Sequence, residues 1–246
     1  MNELVTVIIP YYKKKKFILE SLNSILFQKY NNLEILIIYD DENMSDLEFI
    51  RKITAQDPRI RIIINNKNLG AGLSRNIGIQ ESKGYYLSFI DSDDIWHKDK
   101  IKNQIDFMKQ NNFSFSHTSY SIIDEKKNFL EKREARNFYK VDDLIKSCDI
   151  GLSTVMIKKS IFGSKIFPNL KTKEDFVLWL NFLKDGYKIK GIKENLVCWR
   201  KTKDSLSSGA IQKLSDGFKV YYKFMNYNLF KSLYYLFLLS INYIRK

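Results

Sequence analysis

The chain reads as an α/β domain built on a mostly parallel sheet covered on both faces, and three observations predict this. Short apolar runs rich in β-branched residues occur at 4–9, 33–39, 61–65 and 85–90. Strands buried on both faces lose apolar/polar alternation and read as continuous apolar runs. Segments of helical period separate them, giving the order β-α-β-α-β-α-β. The length of 246 residues and the 44% hydrophobic content supply a sizeable core.

The first strand, LVTVII at 4–9, is expected to stop at Pro10. FILESLNSILF at 17–27 places apolar residues at 17, 18, 22, 25 and 26, a helical spacing. LEILIIY at 33–39 is a second buried strand, ending at Asp40 and Asp41. A helix over 46–56, a strand over 61–65, a helix over 71–82 and a strand over 85–90 follow. Beyond these, a helix is expected over 98–110, a strand over 113–123 and a short helix over 141–147. A strand running into a helix at 153–162, an amphipathic helix at 173–186 stopped by Gly186, and a strand at 188–199 complete the core. Three prolines and ten glycines leave no long flexible tether.

Right-handed crossovers bring the carboxyl ends of parallel strands to one edge, where open α/β sheets bind ligands. Pro10–Tyr12, Asp40–Asp41, Asn65–Asn68 and Asp91–Asp94 fall there. FIDSDDIW at 89–96 sets three carboxylates into four positions after a buried strand. Such a cluster is stable around a hard cation such as Mg²⁺ or Mn²⁺. Its alternative is a solvated acidic turn capping the next helix.

Forty-one Lys and Arg against 28 Asp and Glu give a net charge of +13, which favours a polyanionic partner: nucleic acid, a nucleotide or an anionic membrane. An acidic crevice repels nucleic-acid phosphates, so nucleic acid is not expected. Cys148 and Cys198 form no metal spacing or disulfide framework, consistent with a reducing cytoplasm. No secretory signal is read at the N-terminus. His97 and His117 are the only histidines, and their positions suit no paired metal site.

VTVIIPYY, LEILIIYDD and NLGAGLSRNIGIQESKGYYLSFIDSDD together resemble the nucleotide-sugar half of family 2 glycosyltransferases. KEDFVLWLNFLKDGYKI resembles that family's acceptor-side segment, and CWRKTKDSLSS its closing arginine–serine element. The motifs recur in order from residue 5 to about 208. The resemblance implies the GT-A (nucleotide-diphospho-sugar transferase) fold: a mostly parallel Rossmann-like central sheet flanked by helices, with a C-terminal helical tail. It implies a transferase domain over 1–208, with a nucleotide-sugar half at 1–95 and an acceptor half at 96–208.

The resemblance also implies roles. Pro10, Tyr11 and Tyr12 would line the base pocket. Asp41 would accept from the base imide N–H, with Asp40 supporting it or the ribose. Asn68, Arg75, Asp91, Ser92 and Asp93 would bind the nucleotide sugar, taken as a UDP-sugar. Asp93 or Asp94 of the DxD pattern would hold Mn²⁺ or Mg²⁺ on the diphosphate. Asp175 would be the general base of an inverting transfer, with Glu174, Trp199 and Arg200 on the acceptor side. The acceptor would be a hydroxyl of a growing surface glycan, lipid-linked or not. A processive polysaccharide synthase is disfavoured because no Gln lies two residues before Trp199. A nucleotidyltransferase would be expected to have a glycine-rich phosphate loop where PYYKKKK stands. Two departures stand out: DDENMSD is one residue longer than the family pattern and lacks its glycine, and Lys13 replaces the usual asparagine.

The tail at 209–246 is basic and aromatic, with six Lys or Arg and one Asp from 211 onward. Its uncharged stretch 232–244 is 13 residues, against the roughly 20 that span a bilayer. It is expected to lie on an anionic membrane surface, placing the protein at the inner face of the cell membrane, or to pack on the domain or a second copy in a homodimer.

Overall fold

The computed structural model describes residues 3–55, 57–202 and 209–244. Its first half follows the expected order: β1 (Val5–Tyr11), α1 (Lys15–Leu26), β2 (Leu33–Tyr39), α2 (Leu47–Thr54), β3 (Ile60–Ile64), α3 (Ala71–Glu81) and β4 (Tyr86–Phe89). These strands are parallel in the order β3-β2-β1-β4. Val5, Val7, Ile9 and Tyr11 enter the core on one face of the sheet, and Ile8 enters the core on the other. That two-sided burial is why β1 shows no polar alternation.

The expected stop at Pro10 is wrong: β1 continues through it, with Pro10 opposite Ile38. The Ile8 carbonyl accepts from Ile90 on the β4 side, and the Tyr11 carbonyl accepts from Asp40 on the β2 side. Pro10 is in phase with Ile8, so its missing N–H falls where β4 has already ended. At Gly78 of α3 a Cβ would lie 2.5 Å from Ile8 Cγ2, so only glycine lets the helix pack this closely on β1.

The second half comprises β5 (Ile95–Trp96), α4 (Lys100–Gln110), β6 (Phe115–Ile123), β7 (Phe129–Arg133), α5 (Val141–Leu144), β8 (Met156–Lys158), α6 (Glu174–Lys184), β9 (Lys190–Arg200), α7 (Ala210–Lys219) and α8 (Leu229–Ile244). β8 joins β4 antiparallel and extends the sheet through β6, β9 and β5, with β7 hairpinned onto β6. The hairpin escaped the sequence reading because Phe129 and Leu130 are exposed and no apolar period marks the strand. Its turn is made by Asp124, which accepts from the backbone of Lys126 and Asn128. Trp179 and Phe182 of α6 pack edge-on against Phe115, and Gly186 at φ +84° ends the helix.

The C-terminal helices pack on the core. A π-helical turn at Val220–Phe224 follows α7 directly. Val220, Tyr221 and Leu239 enter the same cluster as Trp179. The Tyr221 hydroxyl donates to the Ile145 carbonyl at 2.8 Å. Among the described residues no helix is long and apolar enough to cross a membrane.

Candidate active site

The turn after β4 sorts its side chains by alternation. Asp91 and Asp93 face the crevice half-buried, while Ser92 and Asp94 turn inward. Asp94 is fully buried. Its Oδ2 accepts from Ser153 Oγ at 2.5 Å and its Oδ1 from the Arg200 backbone N–H at 2.8 Å. Burial, reinforced by the charges of Asp93 and Asp91, pushes its carboxyl well above the usual range. Asp94 is therefore a strut tying the turn to β9 and the 152–154 turn, and of the two aspartates left open as metal ligands only Asp93 is turned to the crevice.

Asp93 Oδ2 lies 2.9 Å from Lys14 Nζ, which also donates to Thr202 Oγ1 at 3.0 Å. Burial and the nearby Asp91 charge push the Asp93 carboxyl up, with Lys14 opposing. Arg75 is buried between two carboxylates: its Nη2 is 2.6 Å from Asp91 Oδ1 and its Nη1 is 2.7 Å from Glu174 Oε1. One guanidinium fork thus links the turn after β4 to the first turn of α6.

At the β2 end the paired aspartates divide. Asp40 is consumed internally, accepting from Asn65 Nδ2 at 2.7 Å and from the Leu69 and Gly70 amides at 2.8 Å each. Through these bonds it shapes the 65–70 loop. Asp41 is buried, yet its Oδ2 has no hydrogen-bond partner. An orphaned buried carboxylate oxygen at a crevice calls for a donor from outside the chain. Asn68, expected to bind the nucleotide sugar, is exposed.

The expected aromatic wall also divides. Pro10 and Tyr11 are buried, and Tyr11 stacks on Tyr39 at 5.3 Å. The Tyr11 hydroxyl donates to Asp46 Oδ2 at 2.8 Å, and burial pushes it far above its ordinary pKa. Tyr12, 41% exposed, is the one ring of the pair that stays accessible. Strand alternation allows no more, because adjacent side chains point to opposite faces.

Asp175 is the second residue of α6, after Glu174. Lys173, just before the helix, has φ +64°, a left-handed turn that aims the helix start. Asp175 is half-buried and its Oδ1 accepts from the Phe176 amide at 2.7 Å. Burial, and then the Glu174 charge, push its carboxyl up to about 7, with Arg75 opposing. That value suits a base at neutral pH.

Arg200, expected beside the acceptor, is instead a buried clamp. It donates to the Asp93 carbonyl at 2.8 Å and pairs with Glu20 at 2.6 Å. Trp199 is half-buried beside it, paired with Ile122. His117 is buried against the Arg136 carbonyl at 2.8 Å, and burial lowers it to about 4, so it is a core residue. Residues 203–208 of the closing element lie outside the described residues. Ser153, Lys14 and Asp46 were missed, and only Lys14 carried a signal, as part of KKKK.

A sheet with aspartates at its parallel carboxyl edge, extended by an antiparallel β8, is the GT-A fold. The glycosyl transferase family 2 profile matches residues 6–167, and the chain belongs to that family. It is 41% identical over 180 residues to an uncharacterized glycosyltransferase of Rickettsia felis, a match covering 72% of this chain and 30% of that relative's length. It is 34% identical over 243 residues to the Escherichia coli UDP-Glc:alpha-D-GlcNAc-diphosphoundecaprenol beta-1,3-glucosyltransferase WfgD, covering 98% of this chain and 92% of WfgD. The crystal structure of S. aureus TarS residues 1–349 with UDP-GlcNAc superposes with a TM-score of 0.71 at 20% identity. That match covers 88% of this chain and 64% of TarS, and it is a likeness of fold.

Proposed function

We propose that this chain is an inverting glycosyltransferase that moves one sugar from a UDP-sugar to a hydroxyl of a lipid-diphosphate-linked glycan. The observation that carries this is the Asp91–Arg75–Glu174 bridge, which ties the DxD turn to the helix start that bears Asp175. Tyr12 stacks on the base and Asp41 Oδ2 accepts its imide N–H. Asp175 takes the proton from the acceptor hydroxyl as that oxygen attacks the anomeric carbon. The carbon–oxygen bond to the diphosphate breaks and its electron pair leaves with the diphosphate. Attack opposite the leaving group inverts the centre.

Asp93 and Asp91 offer an all-oxygen pair suited to a hard cation that fills its remaining positions with water and phosphate oxygens. No cluster of three metal-ligating side chains occurs among the described residues. When bound there, Mn²⁺ or Mg²⁺ supplies positive charge to the leaving diphosphate. The resemblance to WfgD suggests UDP-glucose and a GlcNAc-diphospholipid as first substrates. Incubating them with the protein and Mn²⁺ is expected to give a disaccharide lipid, and EDTA to abolish it. Transfer undiminished by EDTA rules out the metal; no transfer from any UDP-sugar rules out the donor class.

The outer face of α8 supports a membrane-surface location. Phe230 (83% exposed), Leu233, Tyr234 and Phe237 (61% exposed) form an i, i+3, i+4, i+7 stripe, with Lys223 and Lys231 nearby in the sequence. The opposite face holds Ser232 and Leu239 against the core. Replacing Phe230 and Phe237 by Ser is expected to release the protein from phosphatidylglycerol vesicles while leaving its melting temperature nearly unchanged. Undiminished sedimentation with vesicles would refute this.

A further inference from the structure

The expected tail carries a carboxylate that reaches the catalytic turn. Asp216 of α7 is fully buried. Its Oδ2 accepts from the Thr172 backbone N–H and from Thr172 Oγ1, both at 3.1 Å, and from Gln212 Nε2 at 2.8 Å. Its Oδ1 lies 3.0 Å from Lys219 Nζ. Burial alone would raise this carboxyl, but the hydrogen bonds from Gln212, Lys219 and Thr172 outweigh it and hold the group below its usual value. It stays an anion with every bond directed.

Thr172 is three residues before Asp175, and Lys173 stands between them in the left-handed region. A lysine held at φ +64° is strained and persists only where its surroundings over-determine it. Two ties do so. Asp216 holds Thr172 on one side, and Arg75 holds Glu174 on the other. Gly217, next to Asp216, brings α7 against α8 and the turn: a Cβ there would lie 2.9 Å from Leu236 Cδ1 on α8 and at ordinary contact distance, 3.6 Å, from Lys173 Cε. No side chain caps α6, so these two ties fix its start.

We infer that Asp216 is a positioning residue for the base: through Thr172 it sets the turn that presents the Asp175 carboxyl to the acceptor hydroxyl. α7 is then a component of the reaction centre. The charged groups facing Asp175 are Glu174 and Lys173 on its own turn and Arg75 on α3. Loosening the turn admits water to Asp175, so the burial that most raises its carboxyl is relieved and the group loses its proton more readily.

This inference rests on Asp175 as the base, and the experiment separates the two. Asp216→Asn keeps the side-chain volume, and Thr172→Ala removes one hydroxyl donor. Asp216→Asn is expected to lower kcat by about tenfold to a hundredfold with donor KM and UDP affinity unchanged. The acid limb of its pH–rate profile is expected to move down by about one pH unit. Thr172→Ala is expected to shift both in the same direction by less, and it decides the matter should Asp216→Asn not fold. An acid limb unmoved in the folded variants overturns the inference, whether or not kcat falls, because a merely structural loss reduces rate without moving the limb. If Asp175→Asn itself retains turnover, the base assignment falls instead.

Discussion

Asp175→Asn is expected to lower kcat by about 10²- to 10⁴-fold while UDP-sugar binding, measured calorimetrically, stays intact. The donor contacts proposed for Tyr12, Asp41 and Asp91 lie just beyond the carboxyl ends of β1, β2 and β4, and none uses the α6 carboxyl. The same substitution is expected to stabilise the fold at high pH. Asp175 titrates at about 7 in the folded chain against an ordinary 3.8. A raised carboxyl pKa means the native state holds the proton more tightly than the unfolded chain. Stability therefore falls as pH rises from about 4 to about 7, and the full penalty is present above 7. Asparagine carries no such penalty. The variant should melt higher than the parent at pH 8, with the gain shrinking toward pH 4. In the parent, kcat should rise with pH through an acid limb near 7. Substantial turnover by the variant, or an acid limb near 4 in the parent, would remove Asp175 from the role of base.

Arg75→Met should have the largest effect on stability. The guanidinium neutralises Asp91 and Glu174 at once. Removing one partner of a buried ion pair costs about 3–5 kcal/mol, because a charge is left uncompensated out of water. In a chain of this size that lowers the melting temperature by roughly 10 °C. Arg75→Lys should recover only part of the loss, because one ammonium cannot span both carboxylates as the planar fork does. Scanning calorimetry of the three proteins checks this. A melting temperature for Arg75→Met within about 2 °C of the parent would mean that the bridge contributes little.

Much of the architecture was legible because its signals are local. Continuous apolar runs marked β1 to β4, and the carboxyl ends of β1, β2 and β4 converged on the crevice as topology requires. The even spacing of Asp91 and Asp93 already implied a shared face, and the same rule would have turned Asp94 inward and separated Tyr11 from Tyr12. What stayed hidden depends on distant contacts. Ser153 meets Asp94 across 59 residues, Glu174 meets Arg75 across 99, and Thr172 meets Asp216 across 44. No periodicity encodes such pairs. The isolated Arg200 motif misled for the same reason: only the fold reveals that its charge is used on Glu20 and the Asp93 carbonyl.

The segment between Asp41 and Asp46 is a span strung between two fixed posts. Asp41 is buried at the end of β2, while Asp46 is held by the Tyr11 hydroxyl and donates its own N–H to Tyr39. Residues 42–45 between them are all exposed, and Met44 takes the left-handed conformation that lets the chain double back. The near end of the span is pinned to its post, with the Asn43 N–H donating to Asp41 Oδ1 and the Met44 N–H to the Asp41 carbonyl, both at 3.2 Å. The extra residue and missing glycine of DDENMSD fall in this exposed stretch, and Ser45, beyond those ties, is the natural place to graft new sequence.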